Sequence, residues 1–111
     1  MIISYESFKY ICNLDRNQSK HIAYSLNSKL SERGSLTGYL FEDAFTIGYH
    51  KAIRIINKLL LSNNNTKKHI FNTINQVDLT PCYKYSCSGY FYEGFMLAFY
   101  DLDKFLNYLV L

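Results

Sequence analysis

Apolar residues recur along this chain at intervals of three and four, the spacing of helix faces rather than strands. Ser4 is placed to cap a short first helix carrying Tyr5, Phe8, Ile11 and Cys12, with Ile2 and Ile3 as an alternative strand start. Asp15 or Asn17 caps a second helix whose face is Ile22, Leu26 and Leu30, and Gly34 stands where it should stop. Ser35 or Thr37 opens the longest helix, running to about Leu61. Its stripe is Phe41, Ala44, Gly48, Ala52, Ile55 and Leu59, widened by Leu40, Ile47, Ile56 and Leu60. So broad a stripe belongs to a helix covered on more than one side. The small residues Ala44, Gly48 and Ala52 invite a close neighbour.

Residues 62–66 read as a loop, and Thr66 as the cap of a fourth helix with Ile70, Phe71, Ile74 and Val77. Pro81 ends helical geometry at Thr80, and residues 82–87 read as a loop or extended segment. A last helix from about Ser88 to about Val110 carries Phe91, Phe95, Ala98, Leu102, Phe105 and Leu109. The expectation is an all-α protein, a single compact bundle of about five helices in one domain over residues 1–111. The central helix, about 37–61, packs on the C-terminal helix, about 88–110.

A short phrase occurs twice. Thr37-Gly38-Tyr39-Leu40-Phe41-Glu42 and Ser88-Gly89-Tyr90-Phe91-Tyr92-Glu93 share a hydroxyl, Gly, Tyr, two large apolar or aromatic residues and Glu. The phrase reads as the opening of two equivalent helices, with Glu42 and Glu93 set favourably against the helix dipoles. A duplicated helix-hairpin is the alternative origin.

Composition narrows the class. Apolar residues make up 49% of the 111, enough for a core without staples. Charged residues are only 19%, which excludes a disordered tail. Abundant Asn, Ile, Lys, Tyr and Phe are residues with AT-rich codons, in keeping with a phage or mobile-element source. Three cysteines, Cys12, Cys82 and Cys87, without a secretory leader, point away from a disulfide framework and towards the cytoplasm. No apolar run approaches the ~20 residues needed to span a bilayer.

Candidate chemistry is sparse. There is no P-loop, nucleophile elbow or dinucleotide fingerprint. Cys82 and Cys87 form one loosely spaced pair where a structural zinc needs four ligands, so no metal and no cofactor is expected. Glu42 and Glu93 are paired carboxylates only if their helices lie side by side, and the dipole reading explains them more simply. No enzyme is expected.

Two binding surfaces remain. Tyr83, Tyr85, Tyr90, Tyr92 and Tyr100 crowd the start of the last helix, more aromatics than one face can bury, and Tyr is a frequent interface anchor. Tyr83, Tyr85, Tyr92 and Tyr100 are the candidate partner-binding residues, and the apolar ending Leu109-Val110-Leu111 also calls for cover. Lys51, Arg54 and Lys58 fall on one face of the long helix, extended by Lys67 and Lys68, in a stretch from Asp43 to Asp78 that has no acidic residue between them. Such a stripe can follow phosphates.

The leading expectation is a non-enzymatic small protein that binds and blocks a protein partner, of the immunity-protein, antitoxin or phage-encoded inhibitor type. A nucleic-acid module using the basic face comes second, and a homodimeric or oligomeric structural protein third. A net charge of +3 is modest for a committed nucleic-acid binder.

Overall fold

The computed structural model describes residues 2–33, 36–76 and 86–110, with the side chains of 86–88 and 109–110 set aside. It is all-helical. The elements are α1 (Tyr5–Asn13), α2 (Arg16–Glu32), α3 (Leu40–Leu61), α4 (Asn64–Gln76) and α5 (Ser86–Val110). Among the described residues there is no strand.

Local chemistry sets most of the boundaries. Ser4 caps α1, its hydroxyl accepting from the Ser7 N–H at 3.1 Å. Ile2 and Ile3 do not begin a strand. Their N–H groups both donate to Asn75 Oδ1 at 2.9 and 3.0 Å, and Asn75 Nδ2 donates back to the Ile3 carbonyl at 3.0 Å. One side chain on α4 thus supplies the bonds a neighbouring strand would have given. Asp15, not Asn17, caps α2. It forms a capping box with Gln18, whose N–H donates to Asp15 Oδ1 at 2.8 Å while Gln18 Oε1 accepts from the Asp15 N–H at 3.0 Å. Gly34, the expected stop, lies outside the described residues.

The α3–α4 connection is shorter than the run of asparagines suggested. Ser62 closes α3, its hydroxyl donating to the Lys58 carbonyl. Asn63 then caps α4 at once, accepting from the Thr66 N–H at 2.9 Å. Asn is as good an N-cap as Thr and comes first in the chain, so Thr66 lies inside the helix.

The repeated phrase does not open equivalent helices. In its first copy residues 37–39 are outside the helix, Gly38 has φ +86°, and Tyr39 is an N-cap without a side-chain bond. Asp43 reaches back from within α3 instead. Its carboxylate accepts from the Thr37 N–H at 2.7 Å, the Gly38 N–H at 2.9 Å and the Thr37 hydroxyl at 3.0 Å. The Thr37 backbone bond leads in holding this carboxyl below the usual aspartate range. The second copy lies wholly inside α5, which starts at Ser86, and Gly89 is an ordinary helical residue.

A different pair of positions matches in space. A Cβ built on Gly48 would stand 2.1 Å from the Phe91 carbonyl oxygen, and one on Gly94 would stand 2.0 Å from that of Phe45. Each helix therefore presents a glycine to the backbone of the other, three residues after the phenylalanine whose carbonyl receives its partner's glycine. Phe41 meets Tyr90 near the helix starts, and Tyr49 meets Asp101 farther on. These two side-chain contacts advance together along both helices, so α3 and α5 run in the same direction, and α3 packs more extensively on α5 than any other two helices pack.

The core gathers around this crossing. Tyr49, Ala52, Ile53, Ile56, Leu59 and Leu60 of α3 are buried, as are Phe95, Ala98, Phe99, Leu102 and Leu106 of α5. Ile22, Ala23 and Leu26 of α2 join the same cluster, as do Ile11 of α1 and Phe71 and Ile74 of α4. Phe8 stacks on Phe71 with ring centroids 4.3 Å apart, which seats α1 on α4.

Gly48→Ala and Gly94→Ala should each lower unfolding free energy by about 2 kcal/mol, the overpacking cost less a helix-propensity gain of about 1 kcal/mol. Gly89→Ala meets nothing within 4 Å and should instead leave stability unchanged or raise it by up to about 1 kcal/mol. Urea melts of the three variants check the contrast. Equal effects at all three glycines would deny the close crossing.

Candidate functional site

A buried polar pair and a neighbouring cation join three helices. The Tyr49 hydroxyl donates to Asp101 Oδ2 at 2.8 Å, with both residues buried. The Arg33 guanidinium at the end of α2 lies over the Tyr49 ring at 4.4 Å and over Phe45 at 4.8 Å. Lys29 and Glu32 complete a small cleft of about 270 Å³. Burial, and after it the bond to Asp101, push the Tyr49 hydroxyl well above the ordinary tyrosine value. The phenol stays protonated at neutral pH and serves as a fixed donor. Such a group is poorly matched to proton transfer near pH 7, and the trio acts as a clamp between α2, α3 and α5.

The basic face of α3 is present as the spacing implied. Lys51, Arg54 and Lys58 are all exposed, with the Lys51 ammonium 5.9 Å from the centre of the Phe91 ring. Lys68 is exposed too. Lys67 is not part of this surface. It is only 5% exposed, and its ammonium donates to the Ile11 carbonyl at 3.4 Å. The reason is helical phase: Lys67, Phe71 and Ile74 fall at i, i+4 and i+7, the buried face of α4. The positions of Phe71 and Ile74 carried that signal in the sequence. Lys58 also borders an apolar groove of about 240 Å³ between α3 and α4, lined by Ile55, His69, Ile70, Thr73 and Ile74.

The aromatic candidates separate. Tyr83, Tyr85 and Leu111 lie outside the described residues, as do the side chains of Leu109 and Val110. Tyr92 is half-buried. Tyr100 is 57% exposed, with the Lys104 ammonium 4.8 Å from its ring centre.

A further apolar surface comes from residues the pattern had assigned to the core. Leu40 is 66% exposed, and Phe41 and Ile47 are both 45% exposed. The stripe of α3 is covered only from about the glycine crossing onward, and its first two turns project past that cover. Exposed Leu36 and Tyr39 precede them in the chain. The exposed Tyr90 of α5 lies against Phe41, ring centroids 5.1 Å apart. Leu36, Tyr39, Leu40, Phe41 and Tyr90 thus form an aromatic and aliphatic surface where α3 and α5 both begin.

Glu42 and Glu93 are exposed, and Glu42 Oε2 accepts from the Thr37 hydroxyl at 3.4 Å. Among the described residues, no group of three His, Cys, Asp or Glu side chains is arranged to hold a metal ion. Among the same residues, no helix is long and apolar enough to cross a membrane. No protein-family model, no curated protein and no solved structure matches this chain.

Tyr49→Phe should destabilise the fold by about 1–3 kcal/mol, because it leaves the Asp101 carboxylate buried without its donor. The raised hydroxyl pKa adds a pH signature. Folding favours the protonated phenol, so this stabilisation is complete below the ordinary tyrosine value of 10.0 and is lost as pH rises beyond it. Denaturant melts between about pH 8 and 11 should show a steeper alkaline fall for the parent protein than for Tyr49→Phe. Parallel curves would remove Tyr49 from the clamp.

Proposed function

We propose that the protein works by binding another protein, in the manner of an immunity protein, antitoxin or phage-encoded inhibitor, rather than by catalysis. The observation that carries this reading is the surface of Leu36, Tyr39, Leu40, Phe41 and Tyr90. Three of these five are more than 60% exposed, Phe41 and Tyr90 are in ring contact, and exposed apolar residues with aromatic members are the composition of interface centres. Farther along α3, exposed Lys51 and Arg54 add positive charge on the same helix. The fitting partner has an apolar pocket with an acidic rim, and the cations steer its approach. Three cysteines and no framework pattern suit a cytoplasmic site of action. Tyr100 with Lys104 extends the available surface on α5.

A nucleic-acid reading keeps one specific support. Lys51, Arg54 and Lys58 are exposed on one face, and no carboxylate among the described residues is bonded to any of them. With Lys67 buried, the stripe is shorter than its sequence promised.

Capture by the tagged protein in its native host decides between these readings. The comparison is with two variants, Tyr39→Ala/Leu40→Ala and Lys51→Glu/Arg54→Glu/Lys58→Glu. The apolar pair should lose about 1–3 kcal/mol of partner affinity per side chain, with an unchanged melting temperature. The charge variant should slow association and keep most of the affinity. Unaltered affinity in the apolar pair would overturn the reading. Nucleic acid captured by the parent and lost in the charge variant would favour the second. A dimer in sedimentation that dissociates in the apolar pair would make the partner a second copy of this chain.

A further inference from the structure

The end of α3 opposite the apolar surface holds a second, chemically different feature. Leu40 and Leu61 bound a helix about 30 Å long. At its far end the α1–α2 and α3–α4 connections meet around a cleft of about 580 Å³. Arg16, Ser19 and Lys20 of α2, Asn63 at the start of α4, and Lys67 line it. Arg16 and Lys20 are one helical turn apart on the same face of α2. None of the described lining residues is acidic. The nearby Asp15 carboxylate is committed to capping α2.

Lys67 makes the arrangement unusual. Its ammonium has three N–H donors, and among the described residues it makes one long bond, to the Ile11 carbonyl. The residue is 5% exposed. A buried charge so thinly compensated is costly unless an opposite charge meets it. Helix dipoles do not supply that charge. Two helices end at this cleft and two begin there, so their terminal partial charges largely offset one another. The positive field comes from the three side chains.

We propose that this cleft binds a small phosphate-bearing molecule, with the Lys67 ammonium at its floor and Arg16 and Lys20 at its rim. Three cations match a multiply charged anion better than a single carboxylate, and the Arg16 fork suits two phosphate oxygens at once. The volume is in the range of small-molecule sites. Leu14, Leu60 and Leu61 on its walls offer apolar contact to an organic remainder. The site is independent of the protein-binding surface and stands or falls separately from it.

The test is calorimetric titration and thermal melting of the full chain with inorganic phosphate, pyrophosphate, ATP and adenosine, against sodium chloride at matched ionic strength. Pyrophosphate or ATP should raise the melting temperature above the salt control, while adenosine should not. ATP binding more tightly than pyrophosphate would assign the walls to an organic group, and equal binding would assign the site to the phosphates alone. Arg16→Gln/Lys20→Gln changes only exposed side chains and should weaken binding at least about tenfold. Lys67→Met, which keeps the stem, should abolish it. If Lys67→Met does not fold, the rim variant decides alone. No phosphate effect beyond salt, or undiminished binding by the rim variant, would overturn the proposal. So would binding that disappears only in the Lys51→Glu/Arg54→Glu/Lys58→Glu variant.

Discussion

The contact on which the rest of this structure depends is made of backbone. Gly48 and Gly94 let α3 and α5 approach until each glycine lies against a carbonyl of the other helix, with no space for even a methyl group between them. So close an approach fixes where the helices cross and which faces meet. It places Tyr49 so that its hydroxyl reaches Asp101, and it leaves Phe45 and Tyr49 positioned for Arg33 to cover from α2. Because α3 and α5 run the same way, the chain must return between them. The abrupt Ser62–Asn63 connection starts that return, and α4 carries it. Both helix starts consequently lie together at one end, and both short connections gather at the other.

The two ends differ in chemistry for reasons that follow from this arrangement. At the start of α3 the helix extends past its cover, and residues with a core character stand in solvent. At its finish, α1 and α3 terminate where α2 and α4 begin, and side chains from the new helices turn toward the junction. Lys67 is drawn inward by the same face that buries Phe71 and Ile74. The apolar end is the one we propose as a protein interface, and the cationic end the one we propose as an anion site. A chain of 111 residues has room for both because its core is narrow and its helices are long.

Much of the fold was legible in the sequence because helical periodicity is a local signal. All five helices, the Ser4 cap and the dominance of the α3–α5 pair follow from spacing and capping residues. Gly48 was legible as a close-packing site. Gly94 was not, because a glycine among Phe91, Phe95 and Met96 looks like a gap in an apolar helix until its partner is known. The repeated phrase misled for a related reason. Its copies are 51 residues apart, whereas the spatially matched Phe45–Gly48 and Phe91–Gly94 are 46 apart, and only packing distinguishes the two registers. Leu40, Phe41 and Ile47 lie on the periodic stripe, yet periodicity does not say how far along a helix its cover extends. Of the candidate site residues, Lys51, Arg54 and Lys58 are exposed on the helix face that their spacing gave them, and Tyr100 is exposed as well. The cleft of Arg16, Lys20 and Lys67 joins positions up to 51 residues apart, which no local pattern connects.

The central claim is the backbone contact, and proton–proton distances test it without altering the protein. A Cβ on Gly48 would stand 3.1 Å from the Phe91 Cα, and one on Gly94 would stand 3.2 Å from the Phe45 Cα. Glycine Hα atoms occupy that space. In a nuclear Overhauser spectrum of the folded protein, the Gly48 Hα protons should show strong cross-peaks to Phe91 backbone protons, and the Gly94 Hα protons to those of Phe45. Both sets must appear, since the contact is reciprocal. A well-dispersed spectrum with helical chemical shifts in both segments but neither set of cross-peaks would contradict the crossing and the arrangement built on it.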